Sequence, residues 1–371
     1  MKQAVQIMVV LTVLALVVVM AGCGGDGGAQ MDTAKKPEPP SPPPPPTVLG
    51  SGSGTVFYYQ NSTQDVRAAE WDGSNERVVL APGTCTGQFD VACYGGQRFV
   101  IYTGYVGSTR TLLACRDDGT GAVDILQGSA AWPTVLEISP SGTRIAYIDV
   151  VTGGVDGGLY TADLVFSGGG PPVGIANAQL QVPWAGTYTV GGATWSPDER
   201  YLAFRCQLVA SQPNYLYVHE VGATWPGWDP APAPIIGPDE RQLMFDEQPQ
   251  WSPVLPDGSS RIAFTVMYEK NGRYTGGEVR TQLMAGPVPV GASEPAITET
   301  NTGLDWNTEG TWMEGFTDEG GRQVQLAFFG SSRQYEGLLR SVHDGSSEAE
   351  EVLEGVDTNQ KSEVRWAPSS E

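Results

Sequence analysis

Histidine is almost missing from this chain: His219 and His343 are the only two in 371 residues. Each ends a short apolar stretch such as Tyr215-Leu216-Tyr217-Val218-His219, which reads as the third strand of a separate repeat unit, so the two are not expected to share a metal. A histidine-based acid or base is not expected either. Basic residues are scarce as well, 21 Lys and Arg against 42 Asp and Glu, for a formal charge of −21. A surface that acidic repels nucleic acid and anionic headgroups, which removes both from the expected ligands. There is no G-x-S-x-G elbow, no G-x-G-x-x-G placed between a strand and a helix, and no EF-hand loop. No cofactor is expected. A structural calcium held by scattered carboxylates and carbonyls is the one metal the composition leaves room for. Long helix-forming runs are missing from Thr55 onwards, while glycine, proline and aromatics are frequent there, which is the composition of many short strands joined by turns.

The one long apolar run is at the N-terminus. Lys2 supplies a positive start, Ile7 to Met20 an apolar middle, and Ala21-Gly22 a small-residue exit into Cys23. This layout resembles the bacterial lipoprotein signal, in which the cysteine becomes the lipidated first residue of the mature chain; Met20 stands where leucine is commoner. A membrane-spanning anchor is the alternative. The run is interrupted by Gln6 and Thr12, borders the ~18-residue minimum and has no basic stop beyond it. Residues 1–22 are therefore expected to be a signal peptide and Cys23 to carry palmitate-type acyl chains. The resemblance also implies an address. Gly24 replaces the aspartate that retains such proteins in the inner membrane, which points to the outer membrane facing the periplasm in a Gram-negative cell, and otherwise to the outer leaflet of the cell membrane.

Residues 23–54 read as a tether. Lys35-Lys36-Pro37-Glu38-Pro39-Pro40 and the run Pro42 to Pro46 offer almost nothing to bury, and Gly50-Ser51-Gly52-Ser53-Gly54 closes the segment. The proline run suits an extended spacer of ~3 Å per residue.

Residues 55–371 repeat. Ile138-Ser139-Pro140-Ser141-Gly142-Thr143-Arg144-Ile145-Ala146-Tyr147 aligns without a gap on Trp195-Ser196-Pro197-Asp198-Glu199-Arg200-Tyr201-Leu202-Ala203-Phe204. Trp251-Ser252-Pro253 with Arg261-Ile262-Ala263-Phe264 is a third copy, and Gln325-Leu326-Ala327-Phe328 ends another that opens at Trp306 or Trp312. Cys93 to Tyr102 is a degenerate copy. Val364-Arg365-Trp366-Ala367-Pro368 is an opening without an ending, and Thr55-Val56-Phe57-Tyr58 an ending without an opening. Third strands follow at Ala68 to Trp71, Leu112 to Arg116 and Leu338 to His343, each leading into an Asp-Gly turn, then fourth strands at Val78, Val123 and Glu351. Four strands per unit is a propeller blade. Six openings predict an all-β, six-bladed β-propeller whose first blade is completed by the C-terminal strand, which leaves no open edge.

The repeat resembles that of the TolB-like (WD-like) propellers, whose signature is a Trp-Ser-Pro-Asp-Gly stretch followed by an Ile-Ala-Phe strand. The resemblance implies the fold and a general binding role and implies no reaction. The first-to-second and third-to-fourth turns share one face and are short. The opposite face carries the second-to-third loops (149–158, 207–214 and 268–277) and the fourth-to-first loops (129–134 and 183–192). It also gathers Trp132, Trp184, Tyr188, Tyr268 and Tyr274, the expected binding residues, since function concentrates on loops over a rigid scaffold. Outside the cytoplasm disulfides are permitted, and Cys85 and Cys93, flanking the entry to the second blade, are the candidate pair; Cys115 and Cys206 lie in separate blades. The expected protein is a monomeric, membrane-anchored scaffold without enzymatic activity that binds another protein of the cell envelope. The competing class is a propeller-based glycan lyase or hydrolase using carboxylates at the channel mouth.

Overall fold

The computed structural model describes residues 51–127, 133–149, 157–184, 189–207, 214–228, 241–243, 249–270, 273–297, 306–318, 321–331, 336–342, 349–354 and 364–368. Cys23, the tether before Ser51, Trp132, Tyr188 and His343 lie outside this set. Among the described residues there is no helix.

The chain forms a six-bladed β-propeller. β1 (Gly54–Gln60), β2 (Asp65–Glu70) and β3 (Arg77–Leu80) begin the first blade, and β4 (Phe89–Tyr94), β5 (Gln97–Val106), β6 (Thr109–Arg116) and β7 (Val123–Asp124) make the second. The third holds β8 (Pro133–Ile138), β9 (Arg144–Asp149), β10 (Gly158–Phe166) and β11 (Pro172–Pro183); the fourth, β12 (Thr189–Trp195), β13 (Tyr201–Gln207) and β14 (Asn214–Glu220). In the fifth, β15 (Arg241–Leu243) and β16 (Gln250–Trp251) both pair with β17 (Ser260–Lys270). β18 (Arg273–Ala285) follows, edged by β19 (Val288–Pro289) and β20 (Glu294–Ile297). The sixth is β21 (Trp306–Asp318), β22 (Gly321–Ser331), β23 (Glu336–Val342) and β24 (Glu350–Glu354), and β25 (Val364–Pro368) returns to pair with β1. Val56 faces Trp366 across that pair, so the two orphan half-motifs complete one blade and close the ring.

Each blade is packed between two neighbours, which explains why its second strand is apolar on both faces rather than alternating. Val100 and Tyr102 enter a core shared with Phe57, Tyr59 and Val66 of the first blade, while Phe99 and Ile101 enter another with Ile138, Ile145 and Tyr147 of the third. Each such side chain stabilises the ring by about 1.5–3 kcal/mol on burial.

The Ser-Pro turns have a hydrogen-bonding reason. Ser196 Oγ accepts the Tyr201 amide at 2.9 Å, and Ser252 Oγ accepts that of Arg261, also at 2.9 Å, so the motif serine ties down the start of the next strand. Gly142 supplies the left-handed residue of the equivalent turn (φ 71°), where a Cβ would meet the Cys93 carbonyl at 2.6 Å. Glu199 occupies the same position in the fourth blade at φ 57°, and its carboxylate accepts the Ser141 amide at 2.6 Å, which offsets part of that conformational cost.

Three details differ from the sequence reading. The degenerate copy opens at Val91, not Cys93, because Val91 pairs with Val100 and the left-handed Gly95-Gly96 closes a tighter hairpin. Of the two tryptophans on β21, Trp312 is the motif residue, since it faces Leu326 as Trp195 faces Leu202. The expected loop from Tyr268 to Gly277 is strand: β17 and β18 stay paired out to Lys270 and Arg273.

Candidate functional site

The inner strands converge on the hub. The residue one step before each motif position is polar: Asp90, Glu137, Thr194, Gln250, Thr311 and Arg365, paired with Ile101, Ala146, Ala203, Ala263, Ala327 and Phe57. All six are buried, and five of them (Thr194 is the exception) line a funnel of about 410 Å³. Its wall includes Trp195, Trp251, Trp312 and Trp366, and its rim the turn residues Pro140, Pro197, Pro253 and Val254. It therefore opens on the face of the short turns. Two of the tryptophans are locked in place by their own blade neighbours: Trp195 Nε1 donates to the Glu137 carbonyl at 3.1 Å and Trp312 Nε1 to the Gln250 carbonyl at 2.8 Å. The β21–β22 hairpin stands above the rim, with Arg322 3.0 Å from Glu314, and Thr317 N donates to the Ser51 carbonyl at 2.9 Å. Ser51, the first described residue, thus lies beside this hairpin.

The floor is an ionic network contributed by three blades. Arg365 Nε lies 3.2 Å from Asp90 Oδ1, and Arg365 Nη2 lies 3.8 Å from Glu137 Oε2. Asp90 also accepts the amides of Val91 (2.8 Å) and Ile138 (2.5 Å). Glu137 accepts Thr194 Oγ1 at 3.2 Å and Gln250 Nε2 at 3.4 Å. Two carboxyls thus share one guanidinium. Burial raises both, and Glu137 is pushed well above the carboxylate range, with Asp90 adding to the effect. Arg365 lies closer to Asp90 than to Glu137, and the upward push is the larger at Glu137.

A group held up in this way contributes stability that is complete below its ordinary value of 4.5 and is lost as pH rises through the elevated folded value. Glu137→Gln mimics the protonated acid. Its thermal melt should match that of the parent near pH 4 and lie higher near pH 8. A variant melting lower at both pH values would mean that Glu137 is ionised in the fold.

This site was not singled out from the sequence, although a signal exists: the residue before the motif apolar position is polar in every copy. Among the expected binding residues, Trp184 is half-buried against the core between the third and fourth blades, beside Trp228, whose Nε1 donates to the Pro183 carbonyl at 2.8 Å. Its surroundings make it a packing residue. Tyr268 and Tyr274 lie on the far end of the β17–β18 hairpin, on the face away from the funnel. Cys85 and Cys93 are not bridged: Cys85 Sγ faces the Gln88 carbonyl at 3.4 Å, and Cys93 lies near the other end of β4. The four steps from Phe89 to Cys93 alone span ~13 Å, well beyond the ~7 Å Cα separation a disulfide tolerates. Burial pushes the Cys115 and Cys206 thiols up to about 12, so neither is a nucleophile. His219 is buried on β14 against Trp225, and burial lowers its pKa.

No protein-family model matches the sequence, and no curated protein does. Solved structures do match in fold. TolB from Acinetobacter baumannii is 15% identical with a TM-score of 0.51, covering 85% of this chain and 67% of that one. A chain of the nidogen/laminin complex is 10% identical with a TM-score of 0.50, covering 86% and 99%. Hydrazine synthase from Kuenenia stuttgartiensis is 12% identical with a TM-score of 0.50, covering 87% and 48%. The present chain thus spans about two thirds of the TolB chain and half of the hydrazine synthase chain. Its fold is that of a TolB-like six-bladed propeller.

Proposed function

We propose that this chain is a lipoprotein of the cell envelope, anchored through acylated Cys23, whose propeller is a non-enzymatic scaffold that receives a segment of another protein in the hub funnel. The observation that carries this reading is the funnel itself. Its volume of about 410 Å³ suits an inserted peptide segment, its rim carries Pro140, Pro197, Pro253 and Val254, and its polar floor is already hydrogen-bonded, so a ligand meets a preorganised surface. Asp90 and Glu137 are both engaged by neighbours, which favours binding over acid–base work. The nidogen/laminin complex, one chain of which is a neighbour in fold, is in keeping with protein recognition by such a propeller.

The test uses the anchored chain. Membranes carrying it should yield one stoichiometric protein partner on purification. Val254→Arg, a change at an exposed rim residue, should abolish that capture while leaving the melting temperature within about 2 °C. Cys23→Ser should release the protein into the soluble fraction. Turnover of an envelope polysaccharide by the purified protein, lost in Glu137→Gln, would replace this reading with the glycan-cleaving one, for which the raised Glu137 carboxyl would be the acid.

A further inference from the structure

We propose that the tip of the β5–β6 hairpin, formed by Tyr105, Val106 and Arg110, is a second docking point that takes a protein segment presenting a carboxylate beside an apolar side chain. This hairpin is the second-to-third connection of the second blade, so it lies on the face away from the funnel. Val106 pairs with Thr109, and Gly107 takes the left-handed conformation (φ 61°) that so short a turn requires. Tyr105 and Val106 project from it, each about half exposed (50% and 51%).

Tyr105 pairs directly with Arg110, which is half-buried and makes no ion pair or hydrogen bond among the described residues. Its Nε is a buried donor without an acceptor. Other arginines of this protein sit on carboxylates: Arg67 on Asp65 at 3.1 Å, Arg280 on Glu278 at 3.0 Å, and Arg365 on Asp90 at 3.2 Å. In a chain with twice as many acids as bases, this guanidinium has no counterion among the described residues. Burial holds Arg110 below the usual arginine range, although it stays charged.

A cation short of an acceptor beside two exposed apolar side chains describes one kind of visitor. A carboxylate would pair with Arg110, and an apolar side chain would cover Tyr105 and Val106. Tyrosine and arginine are the residues that concentrate binding energy at protein interfaces. A lipid headgroup or nucleic acid offers the anion without the apolar partner, and the charge of −21 repels both. The proposal shares with the preceding section the premise that this propeller binds protein. It concerns the opposite face and stands or falls independently of the funnel.

The experiment measures binding of two dye-labelled peptides, acetyl-Gly-Leu-Glu-Leu-amide and its Gln counterpart, to the purified full-length protein in detergent. The acidic peptide should bind at least about tenfold more tightly, as expected for a charge-assisted contact to a half-buried arginine. Arg110→Gln should erase that preference, and Tyr105→Ala should weaken both peptides without altering the melt. Val254→Arg in the funnel should change neither, so a failure of the funnel reading leaves this result intact. If Arg110→Gln does not fold, Tyr105→Ala and loss of the preference in high salt carry the test. Equal binding of the two peptides, no saturable binding of either, or a preference that survives Arg110→Gln would overturn the proposal. So would Arg110-dependent binding to phosphatidylglycerol vesicles, which would assign the surface to a membrane.

Discussion

Deleting Val364–Glu371 will abolish cooperative unfolding and leave a protein that aggregates on purification. The deletion removes all of β25, with Val364, Arg365 and Ala367 buried and Trp366 in contact with Phe316 at a ring separation of 5.5 Å. It exposes the β1 edge from Gly54 to Tyr58, which pairs with no strand on that side except β25. It also leaves Asp90 and Glu137 without their guanidinium. Losing a buried tryptophan costs about 3–5 kcal/mol, and stranding a buried charge costs a similar amount. Against a typical margin of 5–15 kcal/mol, the ring will not stay closed. Circular dichroism melts of the parent and the truncated chain decide the matter. A truncated chain that melts like the parent would mean that β25 contributes nothing to closure.

Arg365→Ala will destabilise the propeller by about 3–5 kcal/mol in denaturant titrations, because truncating one partner of a buried ionic network leaves the other charges unpaired. The change leaves β25 and its backbone pairing in place, so it isolates the ionic part of closure. Adding Asp90→Asn to Arg365→Ala should recover part of the loss, since the stranded charge is then gone; the recovery is incomplete because Val91 and Ile138 donate to separate Asp90 oxygens and Asn keeps only one of them. A single variant costing under about 1 kcal/mol, or a double variant no better than the single, would show that the network is incidental to the ring. The two experiments share one logic: the last strand is a latch whose electrostatic half sits on the second and third blades and whose apolar half sits on the first and sixth.

Much of this was legible in the chain. The motif serines, the prolines after them and the Ile-Ala-Phe endings each carry local instructions, a capped turn and a doubly buried strand, so their repetition counted the blades correctly. The orphan halves at Thr55 and Trp366 also identified the closing blade, because edge strands must find partners. Loop reading went less well. Tyr268 to Gly277 is rich in polar residues and glycine and reads as a loop. Yet its two halves can extend the β17–β18 ladder, and nothing local distinguishes a polar hairpin from a connection. The candidate bridge between Cys85 and Cys93 failed for a similar reason, since nearness in sequence says nothing once an extended strand intervenes.

What the sequence determined by itself was therefore the repeat: blade number, strand order within a blade, and closure, all of which follow from local turn chemistry and two-sided apolar strands. Only the tertiary structure decided the site. Asp90, Glu137 and Arg365 come from three different blades and meet because equivalent positions of inner strands converge at the hub. Whether a carboxyl there is ionised depends on how much water the assembled ring excludes and where the one guanidinium falls, and neither quantity exists until the six blades are in place.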